Sequence, residues 1–342
     1  MTGTRRIVMA ARIGFWLAIV ALLAGSVAWM TRMPGESVSE PLAELTSLEA
    51  RWAARLERDV YMLADEIGVR NMGRPGSMTR TVEWLDERFS ESGLRPVHHQ
   101  YTLSGSGHAD ATAVNVVAEI PGSRRADEYV IIGAHYDTVP GSPGANDNAS
   151  AVAVLLALAD WFSDRPQSRT LRFVAFANEE PPFYLSADMG SYAYADSLRA
   201  ADEQVSAMMA LDGLGFYSTE PGSQQFPAPG LGLAYSDRAE FIAFVTRMRD
   251  RSVLTRSLGA FRREASIPSE GAVLPSFLPG VGWSDHWSFW QHGYPAFLVT
   301  DTLPFRDPNY HSPADTPQRL DFERMARLAV GLRAVVLELA GE

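Results

Sequence analysis

From about residue 129 onward two kinds of apolar run alternate along the chain. Short, β-branched runs at 129–134, 171–177, 207–211 and 296–300 read as buried strands. Longer stretches at 149–161, 189–200, 238–249 and 321–340 carry apolar residues at helical spacing. Upstream, Leu45, Leu48, Trp52, Leu56, Val60 and Leu63 mark a helix over 42–67, with Gly68 as its stop. A second helix runs from an N-cap at Ser77 to Gly93, with Val82, Leu85 and Phe89 inward. Strands follow at 97–103 and 113–120, closed by the turn Pro121-Gly122. Alternation of strand and helix predicts a three-layer α/β/α fold around a mixed, mainly parallel sheet covered on both faces. The stretch 216–282, rich in Gly, Pro and Ser outside one helix, predicts loops over the site.

The N-terminus follows a different pattern. Residues 1–12 carry Arg5, Arg6 and Arg12, and 13–30 then runs eighteen residues without a charge. As a helix that run is about 27 Å long, close to the roughly 30 Å hydrocarbon core of a bilayer. Phe15 and Trp16 near one end and Trp29 near the other suit interfacial belts. The expected organisation is a cytoplasmic stub at 1–12, a transmembrane anchor at 13–30, a linker at 31–41 and one catalytic domain at 42–342. The arginines predict export of that domain, to the periplasm or the cell exterior. A signal peptide cleaved near Ser26-Val-Ala28 is the competing reading.

Composition narrows the chemistry. The chain has 342 residues and no cysteine, so any metal must be held by imidazole, carboxylate or carbonyl. A net charge of −11 argues against a nucleic-acid partner. All basic side chains besides histidine are arginine, which reads as genomic bias.

Four predicted strands end in acid or imidazole: His135 with Asp137, Glu179-Glu180, Asp212-Gly213, and Asp301 leading to Tyr310-His311. In open α/β sheets the crevice beyond the carboxyl ends of the strands is where sites are built. So many carboxylates at one edge repel unless a cation sits among them. Two histidines and several carboxylates suit one or two borderline divalent ions, zinc first. Pro181-Pro182 forces a non-helical turn after the paired glutamates.

The motifs Ala134-His-Tyr-Asp137, Gly144-Ala-Asn-Asp-Asn-Ala-Ser150, Asn178-Glu-Glu180, Leu211-Asp212, Ser284-Asp-His286 and Tyr310-His311 with Asp315-Thr316 come in a telling order. The chain resembles the M28 family of zinc peptidases, of the bacterial leucyl-aminopeptidase type, from roughly Leu56 to its C-terminus. That resemblance implies two zinc ions. His135 and Asp212 would bind one, Glu180 and His311 the other, and Asp147 would bridge them. It also implies Glu179 as general base and Asp137 as the group that orients His135. The implied substrate is a peptide with a free N-terminus. Ala151 stands where the family often has Gly, a change that touches no ligand.

Asp285 and His286 are either near the site or a buried hydrogen-bonding pair. Trp283, Trp287 and Trp290 either line a pocket or fill core. His98, His99, His108 and His292 read as surface or loop histidines. Relatives of this fold also include glutaminyl cyclases, carboxypeptidase-type hydrolases and non-catalytic ectodomains. The full ligand set favours hydrolysis.

Overall fold

The strongest apolar runs pair into one sheet. A computed structural model describes residues 2–341 apart from 106 and 229. In chain order the elements are α1 (Thr2–Thr31), α2 (Ser47–Tyr61), α3 (Pro75–Glu91), β1 (Val97–Thr102), β2 (Thr112–Ile120), β3 (Arg125–His135), α4 (Ser150–Phe162) and β4 (Arg169–Phe176). There follow α5 (Gly190–Ala200), β5 (Gln204–Leu211), β6 (Ile242–Arg247), α6 (Arg251–Glu264), β7 (Ser269–Leu274), α7 (His286–Gln291), β8 (Ala296–Thr300) and α8 (Phe322–Ala340).

Eight strands lie in the order β1-β2-β4-β3-β5-β8-β6-β7. β4, β3, β5 and β8 are mutually parallel, so their carboxyl ends share one edge. β2 joins β4, and the β6–β7 pair joins β8, antiparallel, and β1 pairs antiparallel with β2 at the outer edge. Both faces are covered. Val130, Ile132 and Ala134 of β3 face the larger core with α2, α3, α4, α6 and α8. Ile131, between them, faces the smaller core with α5 and α7. The period-two alternation of buried residues is what lets one strand serve two cores. α4 is apolar nearly all round because the sheet and its neighbours bury all of it.

The stretch 216–282 departs from expectation. Residues 238–249 do not form a helix. Ile242-Ala-Phe-Val-Thr246 is a compact apolar run with β-branched members, and it forms β6, between β8 and β7. Four consecutive apolar positions followed by a threonine match a strand buried on both faces as well as a helix turn, and the sheet decides. The helix lies further on, at α6, and β7 adds a further strand. The loops over the site are therefore shorter than expected.

Residues 13–30 fall inside α1. Among the described residues no helix is long and apolar enough to cross a membrane. The expected linker at 31–41 is not a free tether. Arg262 donates to the carbonyls of Pro34 and Gly35, and Ser269 N donates to Ser37 Oγ at 2.8 Å.

Candidate metal centre

Three strand ends and two loops bring the acids together. β3 ends at His135. After β4, Asn178 adopts a left-handed φ of 58°, and the chain turns sharply at Glu179 and Glu180. Their backbone N–H groups donate to the two oxygens of Asp137 at 3.0 and 3.1 Å. Asp137 Oδ1 also lies 3.5 Å from His135 Nδ1. One carboxylate thus aligns the imidazole and the glutamate turn together.

Asp147 sits on the loop between β3 and α4, and that loop is fixed from every side. Gly144 has φ 63°, and a Cβ there would fall 2.3 Å from Thr138 and 2.4 Å from the Asp147 carbonyl. Only glycine fits. Asp315 accepts from the N–H of Asn146 at 2.7 Å and of Asp147 at 3.2 Å. Asn148 bonds the Leu211 carbonyl and Gly213 N–H, which sets the loop beside Asp212. Arg70, fully buried, donates to the carbonyls of Leu63, Gly68, Tyr136, Pro143 and Gly144.

The result is two clusters that share one residue. His135 Nε2 lies 3.3 Å from Asp147 Oδ1 and 3.4 Å from Asp212 Oδ1. His311 Nε2 lies 3.0 Å from Asp147 Oδ2 and 3.1 Å from Glu180 Oε2. In each of the sets His135–Asp147–Asp212, Asp147–Glu180–His311 and His135–Glu179–Glu180 the ligand atoms fall within 4.8 Å of one another. Glu179 Oε2 stands 3.9 Å from His135 Nε2.

These residues fit a cation. His311 Nε2 and Glu180 Oε1 are buried atoms with no hydrogen bond, although carboxylate oxygens lie at contact distance from the former. Atoms that converge without hydrogen-bond alignment point at a common third atom. Burial and the Asp147 charge push Glu180 up to about 8. Burial also raises Glu179 well above the usual carboxylate range, with His135 opposing and Glu180 and Asp212 adding to it. Burial disfavours charge on His311, but Asp147 and Glu180 prevail and push it up to about 10. Protons here do the work a divalent ion would do better. Oxygen and imidazole donors with no thiolate suit zinc.

Asp285 and His286 part company. His286 bonds the Val281 carbonyl at 2.8 Å and packs edge-on against Trp290, as a core histidine does. Both carboxylate oxygens of Asp285 are buried without a hydrogen bond, and burial pushes the group up to about 7. Asp301 shares the sheet edge but is consumed by the N–H groups of Phe216 and Leu303 and the amide of Asn146. Arg306 is buried against Gln224 and the Phe241 carbonyl. His98 pairs with Asp86 at the surface. His99 is half-buried against Asn115, and His292 bonds the Ser288 carbonyl.

A cavity of about 290 Å³ opens beside Glu179, Glu180, Asp212 and His311. Ala243, Val245, Ala272 and Leu298 form its floor, and Phe226, Leu231, Trp283 and Phe305 stand around it. Of the three tryptophans, Trp283 lines this space and Trp290 is core. Nothing in the spacing of the chain flagged Arg70, whose partners all come from folding. The asparagines flanking Asp147 were visible in the motif, but their roles were not.

Converging imidazoles and carboxylates at the carboxyl edge of an α/β sheet are the equipment of a metal-dependent hydrolase. The chain belongs to peptidase family M28, whose description matches residues 115–336. It is 35% identical over 286 residues to the Escherichia coli K12 protein YfbL, described as uncharacterized, covering 81% of this chain and 85% of that one. It is 31% identical over 235 residues to a probable leucine aminopeptidase of Trichophyton verrucosum, covering 64% of this chain and 55% of that relative's length. Its fold matches BSAP, a zinc aminopeptidase from Bacillus subtilis, with TM-score 0.66 at 16% identity, covering 85% and 95% of the two chains. Glutaminyl cyclases share the fold as well. The zinc exopeptidase class expected from the sequence is borne out.

Proposed function

We propose that the chain is a di-zinc aminopeptidase that removes N-terminal residues from peptides. The observation that carries this reading is Asp147, whose two oxygens face two different imidazole–carboxylate sets. His135 and Asp212 would hold one ion, Glu180 and His311 the other, with Asp147 between them. Zinc there would supply Lewis acidity, polarising the peptide carbonyl and lowering the pKa of water. Glu179 is the one glutamate of the pair that no ligand role consumes. It takes the proton of the attacking water and returns it to the departing amine. Asp137 keeps both His135 and Glu179 in place from behind. The surplus of carboxylates suits a free, cationic substrate α-amine.

The domain is proposed to work outside the cytoplasm, held by residues 13–30. The arginines before that stretch support this orientation. So do the exposed apolar side chains of Phe15, Trp16, Leu17 and Leu22. Membrane fractionation with protease accessibility tests it, and a cytosolic, soluble chain overturns it.

The activity test uses the full chain in detergent, with metal content measured first. About two zinc per chain and cleavage of free aminoacyl amides, but not of N-blocked ones, are expected. Glu179→Gln should keep the metal and lose turnover. Cyclisation of N-terminal glutamine with a single zinc would instead make it a glutaminyl cyclase. Cleavage of blocked substrates would move it to an endopeptidase or carboxypeptidase class.

A further inference from the structure

The cavity beside the metal centre is not uniformly apolar. Away from the metal-site acids, Glu270 is the charged side chain among its described lining residues. Sheet register gives its place. Leu211 pairs with Val299, so Asp212 falls level with Thr300. Thr300 pairs with Ala243, and Ala243 with Glu270. One rung therefore runs from Asp212 across β8 and β6 to Glu270 on β7. Three strand spacings make that about 14 Å between backbones. Thr300, Ala243 and Glu270 all line the cavity, so they share its face of the sheet.

The middle of the rung is low. Ala243 and, one pleat on, Ala272 leave a trough between the metal centre and Glu270. Leucine is too short and branched to run its length. A long unbranched side chain would fit along it, with its methylenes on apolar wall and its head at Glu270. Glu270 is underused by the protein itself. Among the described residues its carboxylate makes no side-chain hydrogen bond, only a long ion pair. Its nearest cation, Arg262 Nη2, is 3.9 Å away, and the same nitrogen donates to the Ser269 carbonyl at 2.7 Å.

Resting on the aminopeptidase reading above, we propose that this trough takes a basic N-terminal side chain, arginine or lysine, with Glu270 as the residue that selects it. The structure supplies what a guanidinium or ammonium head needs: a carboxylate at the end of an apolar channel, short of partners. Acidic N-terminal residues would meet Glu270 and be rejected by charge.

The experiment compares zinc-loaded wild type with Glu270→Gln on arginyl, lysyl, leucyl and glutamyl p-nitroanilides. Wild type should favour arginyl and lysyl over leucyl, and glutamyl should be the poorest substrate. Glu270→Gln should lower kcat/KM for arginyl and lysyl about 10–100-fold, as loss of a charge-assisted hydrogen bond does. Leucyl should change less than about 3-fold, which also shows that the variant folds. Calorimetric binding of argininamide to the metal-free protein gives a readout independent of turnover. It should weaken in the variant, while leucinamide should not change. Wild type that cleaves leucyl but ignores arginyl, or a variant that loses both equally, overturns this inference and leaves the aminopeptidase reading standing. No cleavage of any free-amine substrate overturns both.

Discussion

The metal corner and the trough beside it are built in opposite ways. At the corner the segments that carry the functional side chains are tied down by further groups. Asp137 aligns His135 and the glutamate turn, Asp315 holds the loop of Asp147, and Asn148 ties that loop to β5. In the trough, many of the side chains come from the segments around 226–235 and 279–283, where Phe226 stacks on Tyr235 and Trp283 on Phe305. Leu233, in the first of these segments, is 94% exposed, and Phe277, just before the second, is 84% exposed. The corner is preorganised at the ends of rigid strands, as chemistry on a fixed atom demands. The trough is free to differ, as recognition of a side chain demands.

That contrast can be broken at the corner first. Asp147→Asn should cost both ions and lower kcat by about 10⁴-fold or to background, since both clusters share it. Metal analysis beside kinetics checks this, and retention of full metal content would show that Asp147 bridges nothing. Asp137→Asn should cost less, about 10–100-fold in metal affinity or activity, because it acts through His135 and the glutamate turn.

Arg70→Lys probes the corner's scaffold rather than its ligands. Five carbonyls converge on the guanidinium, and an ammonium cannot serve them all. A loss of about 2–3 kcal/mol in unfolding free energy is expected from the carbonyls left bare. Urea unfolding of the metal-free protein measures it without interference from the ions.

The seam between corner and trough should respond to acid. Burial pushes His286 down to about 4 from the ordinary 6.5, with Arg247 adding to the shift and the Val281 carbonyl opposing it. The folded form binds this proton less tightly than the unfolded one. Its stabilising share is therefore complete above pH 6.5 and is lost as pH falls toward 4. Between pH 7 and pH 5 this group should remove about 2 kcal/mol. The same titration of His286→Asn should lack that share. An acid limb unchanged by the substitution would refute it. The smallest effect is expected at the mouth of the trough. Leu233→Ser should leave stability within about 0.5 kcal/mol, and a large drop in Tm would mean that the loop is part of the core.

The same contrast governs what could be read in the sequence. Strand ends carry their chemistry in adjacent letters, so His135, Glu179, Glu180, Asp212 and His311 could be placed before any coordinates. The alternation of strand and helix was equally open, because burial on both faces leaves unbroken apolar runs. β6 was hidden because its run is short enough to suit either period, and its place was decided by β8 and β7. Arg70 and Asp315 act mostly on backbone groups far away in the chain, at Tyr136, Pro143, Gly144, Asn146 and Asp147, and no local pattern encodes such partners. Glu270 looked like any surface glutamate. Only the register of β7 against β6 shows where it lies.

β7 is an outer strand, and its outward hydrogen-bonding groups would invite pairing with another chain. Residues 33–37 cover part of it, beside Tyr235, whose hydroxyl donates to the Gly271 carbonyl, and Arg262, which donates to the Ser269 carbonyl. Met33 sits against Gly271, where a Cβ would fall 2.6 Å from its Cγ, and Ser37 caps the Ser269 N–H. This short segment is thus the selvedge of the sheet. A protease that releases the domain intact has to cut before Met33. A cut a few residues later would strip the border from β7 and expose the strand that carries Glu270.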